Sequence, residues 1–394
     1  MKTALEVQGV CDERFGAVRN AFAGNFAAHD EVGASVSVVV DGQTVVDLWG
    51  GHMDAARTRP WERDTIVCVW STTKGVVATC AQRLVDQGLL DLDAPVAKYW
   101  PEFAQAGKSE IPVRYLLSHQ AGLPAISEPL PPGSLYEWDL MVRALEKQEP
   151  WWTPGTKHGY HAFTFGWLVG EVIRRVAGMS VGAYFRKEIA EPLGLDFYIG
   201  LGPEHDARTA EMIAAEAPQP GETNFVVEMI RDPQSMSFKV LANPPDLFAP
   251  GVVNTREWRA AEIPAANGHG NARSVARLYG ALARGGEIEG PDGQAVRVLS
   301  PEAIERATIE QARGGDEVMG LNLRIALGFF LTSPDAQLGP NSGAFGHSGA
   351  GGSLGFADPD ARLGFGYAMN RMIQEDTLTD PRWAPLIDAV YASL

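Results

Sequence analysis

Ala34-Ser35-Val36-Ser37-Val38-Val39-Val40, then Asp41-Gly42, then Gln43-Thr44-Val45-Val46-Asp47-Leu48-Trp49, is a pair of β-branched runs joined by two residues. Asp and Gly both tolerate positive φ, so this stretch reads as a β-hairpin with a tight turn. A matching signal stands near the other end of the chain. Residues 353–357 and 363–369 flank Asp358-Pro359-Asp360-Ala361, which is turn chemistry, and 325–332 reads as a further late strand.

The sequence between these ends changes character. Val77, Cys80, Ala81, Leu84 and Val85 recur with helical spacing and stop at Gly88, an amphipathic helix. A second helix is expected over about 163–177. A third spans roughly 275–284 with Ser274 as its N-cap, and a last one lies near 386–391. Irregular Pro- and Gly-rich stretches, 127–134 and 215–251, separate them. Strands at both ends with helices between predict an α+β fold: one antiparallel sheet built from both chain ends, with flanking helices and an inserted, mostly helical domain. The division expected is 1–66 and 290–394 for the sheet domain and 67–289 for the helical one, with a cleft between them.

Composition limits the function classes. The 394 residues carry a net charge of −16, with 45% hydrophobic and 21% charged residues, which is a globular balance. An acidic chain with no Lys/Arg block argues against nucleic acid or anionic membranes as partners. Three cysteines, Cys11, Cys68 and Cys80, form no C-x-x-C pair, and reduced cytoplasmic thiols are the expected state. Glu6 interrupts any apolar leader, and no run approaches the ~20 apolar residues of a membrane helix. A cytoplasmic protein is therefore expected.

Chemistry concentrates at Val69-Trp70-Ser71-Thr72-Thr73-Lys74-Gly75, where the first helix opens. Residues three apart share a helix face, so Lys74 Nζ can lie beside Ser71 Oγ and accept its proton. The plain alternative is an N-capping serine with a solvated lysine. His158 and His161 have i, i+3 spacing, but no H-E-x-x-H or ligand carboxylate accompanies them, so no metal site is expected. Gly346-His347-Ser348-Gly349-Ala350 imitates the nucleophile elbow of α/β-hydrolases. Those enzymes place a histidine after the serine, and none follows Ser348.

Position narrows the reading. The Ser-x-x-Lys pair follows Trp49-Gly50-Gly51 and precedes Tyr115-Leu116-Leu117-Ser118-His119-Gln120-Ala121-Gly122-Leu123-Pro124. Pro154-Gly155-Thr156-Lys157-His158-Gly159-Tyr160-His161-Ala162 and His347-Ser348-Gly349 come later, in that order. From about Val32 to Tyr391 the chain resembles the serine β-lactamase and penicillin-binding-protein superfamily. Within it, the class C β-lactamase-like branch with the family VIII carboxylesterases is nearest.

That resemblance implies an acyl-enzyme mechanism without metal or organic cofactor. Ser71 would be the nucleophile, Lys74 and Tyr160 the pair that takes its proton, and the backbone N–H groups of Ser71 and Ala350 the oxyanion hole. His347, Ser348, Gly349 and Ala162 would line the substrate cleft. Ala162 stands where many class C β-lactamases carry Asn, so an amide contact to substrate and lysine is missing. His347 stands where they carry Lys, so a fixed positive charge is lost or made pH-dependent. A small neutral ester is the substrate these departures favour, giving a carboxylesterase on short-chain esters with at most weak β-lactam hydrolysis. A β-lactamase, a D-amino-acid peptidase or amidase, and an acyl-binding sensor without turnover are the alternatives. No feature of the chain specifies an oligomeric state.

Overall fold

Residues 6–216, 225–373 and 377–394 are described by the computed structural model. Its frame is a nine-stranded antiparallel sheet drawn from both ends of the chain. The strands are β1 Gln8–Cys11, β2 Gly33–Val40, β3 Gln43–Gly51, β4 Ala312–Gly315, β5 Asn322–Ile325, β6 Phe330–Leu331, β7 Phe345–Ser348, β8 Leu354–Asp358 and β9 Leu363–Met369. Their order is β1-β3-β2-β9-β8-β7-β6-β5-β4, so the first hairpin pairs with the last strand. The fold is α+β, as the ordering of strand and helix signals predicts.

The opening hairpin forms as expected. Asp41 and Gly42 both have positive φ, 51° and 83°, the conformation that matches the twist of the flanking strands. The expected single strand over 325–332 is instead two strands, β5 and β6. Ala326–Phe329 turns between them, and β5 and β6 pair antiparallel. A run of apolar residues buried throughout shows no break in hydropathy where the chain reverses.

One face of the sheet is covered by α1 Gly16–Ala28 and α5 Ala384–Tyr391, enclosing Phe22, Val36, Leu48, Phe365 and Trp383. Against the other face lie α2 Thr72–Asp86 and α4 Ala272–Leu282, with α3 Thr164–Ala177 packed on α2. The α4 helix lies within the 67–289 stretch yet packs across β2, β8 and β9. Its N-cap is Asn271, not Ser274: the Asn271 side chain accepts from the backbone N–H of Ser274 at 2.9 Å.

Helix α2 departs from the amphipathic expectation. Twelve of its residues are buried, including Lys74 and Gln82, because it runs between the sheet and the helical region. The stretch 215–251 is less irregular than expected, since it holds helices Phe225–Arg231 and Met236–Leu241, while 217–224 lies outside the described residues. Residues 1–5, on which part of the leader reading falls, also lie outside them. Cys11, Cys68 and Cys80 are free thiols, and no described helix is long and apolar enough to cross a membrane.

Candidate active site

The chain enters α2 from the short strand Val67–Cys68, which pairs with His269–Gly270. Between strand and helix, Trp70 takes φ 47°, a left-handed conformation that costs a bulky residue about 1–3 kcal/mol. The reversal places Ser71 at the mouth of a cleft. Ser71 occupies the N-cap position but makes no side-chain capping bond, so its hydroxyl is left for Lys74.

Lys74 Nζ lies 3.0 Å from Ser71 Oγ, 2.7 Å from the carbonyl oxygen of Ala162 and 2.9 Å from that of Ala265. The side chain is fully buried, and among the described residues no carboxylate pairs with it. Burial alone therefore drives its pKa well below the usual lysine value. Nζ thus has two main-chain carbonyls to donate to and the serine hydroxyl as its third partner, and with the amine neutral its lone pair would be what turns to that hydroxyl. An asparagine contact to the lysine is missing at Ala162. The main-chain carbonyl of that residue supplies a partner in its place, and the methyl side chain plays no part.

Tyr160 closes the other side, its ring centroid 4.7 Å from Lys74 Nζ. Burial raises its phenol pKa, and a hydrogen bond with Ser71 opposes that rise. The segment carrying Tyr160 is pinned by its backbone. Asp316 Oδ1 accepts from the Tyr160 N–H at 3.0 Å, and His119 Nδ1 accepts from the His161 N–H at 3.2 Å. Neither role is visible in the sequence, where Asp316 belongs to no motif. His161 is spent on structure: Leu123 N–H donates to its Nε2 at 3.0 Å, and its Nδ1 lies 2.6 Å from the Gly159 carbonyl. Among the described residues no group of three or more His, Cys, Asp or Glu is placed to hold a metal ion.

The cleft has a volume of about 580 Å³ and is lined by Trp70, Ser71, Tyr160, Phe330 and the run Ser348–Gly352, among others. Ser348, Gly349 and Ala350 thus meet Ser71 and Tyr160 in one wall. Ser348 lies at the end of β7, not on a strand-to-helix turn, so the elbow geometry is absent. His347 lies behind this wall, fully buried, with its ring 4.4 Å from that of Phe330. Burial lowers its pKa to about 3, so it is neutral across the physiological range. A ring that stays neutral carries no charge toward a substrate carboxylate.

Gly349 lets β7 approach the nucleophile turn. A Cβ there would stand 2.3 Å from the Val69 carbonyl oxygen and 2.2 Å from Ser353 Oγ, so only glycine fits. The N–H groups of Ser71 and Ala350 donate to no acceptor among the described residues. Both residues line the cleft, and an oxyanion hole requires two such donors converging on the reacting carbonyl.

Comparison with known proteins gives the family. The family described as Beta-lactamase matches residues 18–388. The chain is 37% identical over 384 residues to "Esterase/beta-lactamase LipL" of Mycobacterium tuberculosis, covering 95% of this chain and 85% of that protein. It superposes on the crystal structure of a family VIII carboxylesterase with a TM-score of 0.88 at 45% identity, covering 99% and 100% of the two chains. A penicillin-binding-protein homologue from Caulobacter crescentus gives a TM-score of 0.87 at 41% identity, with coverage of 99% and 100%. The chain belongs to the β-lactamase family and is a serine hydrolase.

Proposed function

We propose that this protein is a carboxylesterase that hydrolyses small neutral esters through an acyl-enzyme on Ser71. The observation that carries the reading is Lys74: a buried amine without a carboxylate partner among the described residues, 3.0 Å from the serine hydroxyl. Neutral Lys74 and the Tyr160 phenol together take the Ser71 proton as Oγ attacks the ester carbonyl, and they return it to the departing alkoxide. The two groups titrate as a pair. The N–H groups of Ser71 and Ala350 hold the tetrahedral oxyanion. Water, deprotonated by the same pair, then attacks the acyl-enzyme and releases the carboxylic acid.

The lining of the cleft favours neutral substrates. Among the described residues its only charged lining residue is Asp380, which Arg382 already pairs at 2.8 Å, and no described lysine, arginine or histidine lines it. A β-lactam brings a ring carboxylate and a side-chain amide, and the positions expected to meet them hold a neutral buried histidine and a methyl group. Losing a charge-assisted and a neutral hydrogen bond costs about 2.5–4 kcal/mol. The names of the relatives, a family VIII carboxylesterase and an esterase/β-lactamase, support ester hydrolysis with a β-lactam side activity. The free thiols favour the reducing cytoplasm as its compartment.

A panel of p-nitrophenyl esters against nitrocefin tests the reading. The expected kcat/KM for the acetate or butyrate exceeds that for nitrocefin by at least about 10²-fold. Ser71→Ala abolishes turnover without changing Tm, and a fluorophosphonate adduct maps to Ser71. Equal or better nitrocefin turnover makes the protein a β-lactamase. One equivalent of product followed by arrest makes it a sensor. An adduct on Ser348 displaces the nucleophile.

A further inference from the structure

We propose that Arg382 is a positioning residue for the oxyanion hole: its buried guanidinium holds the Ala350–Gly352 turn so that the Ala350 N–H stays aimed at the serine. The inference rests on the reading of Ser71 as nucleophile.

Arg382 is wholly buried, and all five of its N–H donors have acceptors. Nε donates to Asp380 Oδ1 at 3.0 Å and Nη2 to Asp380 Oδ2 at 2.8 Å. Nη1 donates to Glu31 Oε2 at 3.1 Å and to the Arg371 carbonyl at 2.6 Å. The remaining Nη2 donor goes to the carbonyl of Gly351, the residue after Ala350. A planar fork meets these acceptors together, which a point charge cannot do.

Gly352 completes the seat. Its φ is 122°, and a Cβ there would lie 1.9 Å from Arg382 Nη2 and 2.2 Å from Asp380 Oδ2. The turn therefore rests directly on the guanidinium. The guanidinium is in turn tied to rigid elements. Glu31 accepts from the Tyr367 hydroxyl of β9 at 2.6 Å, and Asn25 of α1 donates to the Arg382 carbonyl at 2.8 Å. Asp380 reaches the cleft wall but Arg382 does not, so Arg382 acts through the turn and not on the substrate. An oxyanion donor is effective only when fixed at about 2.7–3.1 Å from the developing charge, which gives such a clamp its use.

Arg382→Lys keeps a cation beside Glu31 and Asp380 but loses the fork. With p-nitrophenyl acetate, kcat is expected to fall about 10- to 100-fold while KM moves less than about threefold. The affinity of phenylboronic acid, whose tetrahedral serine adduct places an oxygen in the hole, should weaken by a similar factor. Gly352→Ala keeps the chemistry of the guanidinium and carboxylates but puts a Cβ against Arg382 Nη2 and Asp380 Oδ2, forcing turn and guanidinium apart, and should give the same pattern; it decides the matter if Arg382→Lys does not fold. A folded variant of either kind with wild-type kcat overturns the proposal, as does a loss confined to KM or one with unchanged boronate affinity. If wild-type labelling by fluorophosphonate is on Ser71, those results defeat only the role of Arg382. Labelling elsewhere defeats both readings.

Discussion

The hydroxyl of Ser353 donates to the Val69 carbonyl at 2.6 Å and lies 2.9 Å from the hydroxyl of Thr72. Since Ser353 has one proton and gives it to Val69, Thr72 is the donor of the second bond. This buried bridge joins residues on either side of Ser71 to the loop leading from Ala350 into β8. The two N–H groups assigned to the oxyanion hole are therefore connected by a few rigid links, although they are far apart in the chain.

Ser353→Ala leaves the buried Thr72 hydroxyl without its acceptor and the Val69 carbonyl with only the Thr72 backbone N–H, at 3.2 Å. Stability should drop by about 1–3 kcal/mol in urea unfolding. Because the two donors lose their link, kcat for p-nitrophenyl acetate should also fall about tenfold, with little change in KM. Wild-type kcat in a destabilised Ser353→Ala protein would reduce the bridge to a structural contact.

The pH–rate profile follows from Lys74. Catalysis needs the neutral amine, so activity is lost as pH falls through the lowered Lys74 pKa, and the acid limb should lie well below 10.5. His347, neutral above about pH 3, does not titrate on that limb. His347→Gln should thus leave the limb's midpoint in place. A midpoint that moves by a full unit in that variant would assign the limb to the histidine.

Trp70 provides a test of backbone strain by stability. At φ 47° alanine is as strained as tryptophan, whereas glycine is not. Trp70→Gly and Trp70→Ala lose the same packing against Trp258, whose ring lies 5.6 Å away. The glycine variant should therefore be the more stable of the two by about 1 kcal/mol, the reverse of the usual order for a position in regular structure. Thermal unfolding of the pair checks this, and a more stable alanine variant would contradict it.

Acid should destabilise the fold before general acid denaturation sets in. Burial lowers the pKa values of His161, His269 and His347 to about 3 and that of His119 well below its usual 6.5. Between about pH 6.5 and 3 the unfolded chain binds these protons and the folded one does not. Stability is then lost as pH falls, with a slope of up to about 1.4 kcal/mol per pH unit for each histidine. Glu31, Glu262 and Asp316, with pKa values raised by burial, act in the opposite direction, but they are three against these four. The urea midpoint should fall clearly between pH 7 and pH 5. A midpoint that is level or higher at pH 5 would contradict this sum.

The sequence by itself determined the local elements and their order. Asp41-Gly42 between β-branched runs dictates a hairpin because the turn conformation is a property of those two residues. Ser71 and Lys74 share a helix face because of the helical repeat, and the order of Ser71, Tyr160 and His347 was enough to point to the family. Tertiary structure alone decided what surrounds them. The reversal at 326–329 lies in a uniformly apolar run, where buried strand and buried turn read alike. Burial on all sides of α2, which lowers the Lys74 pKa, arises from elements distant in the chain. The carbonyls of Ala162 and Ala265 that hold the amine are backbone groups every residue carries, so no residue type announces them. His347 lies behind the cleft wall for the same reason: the direction of a side chain and its distance from charge are set by packing, which local sequence does not encode.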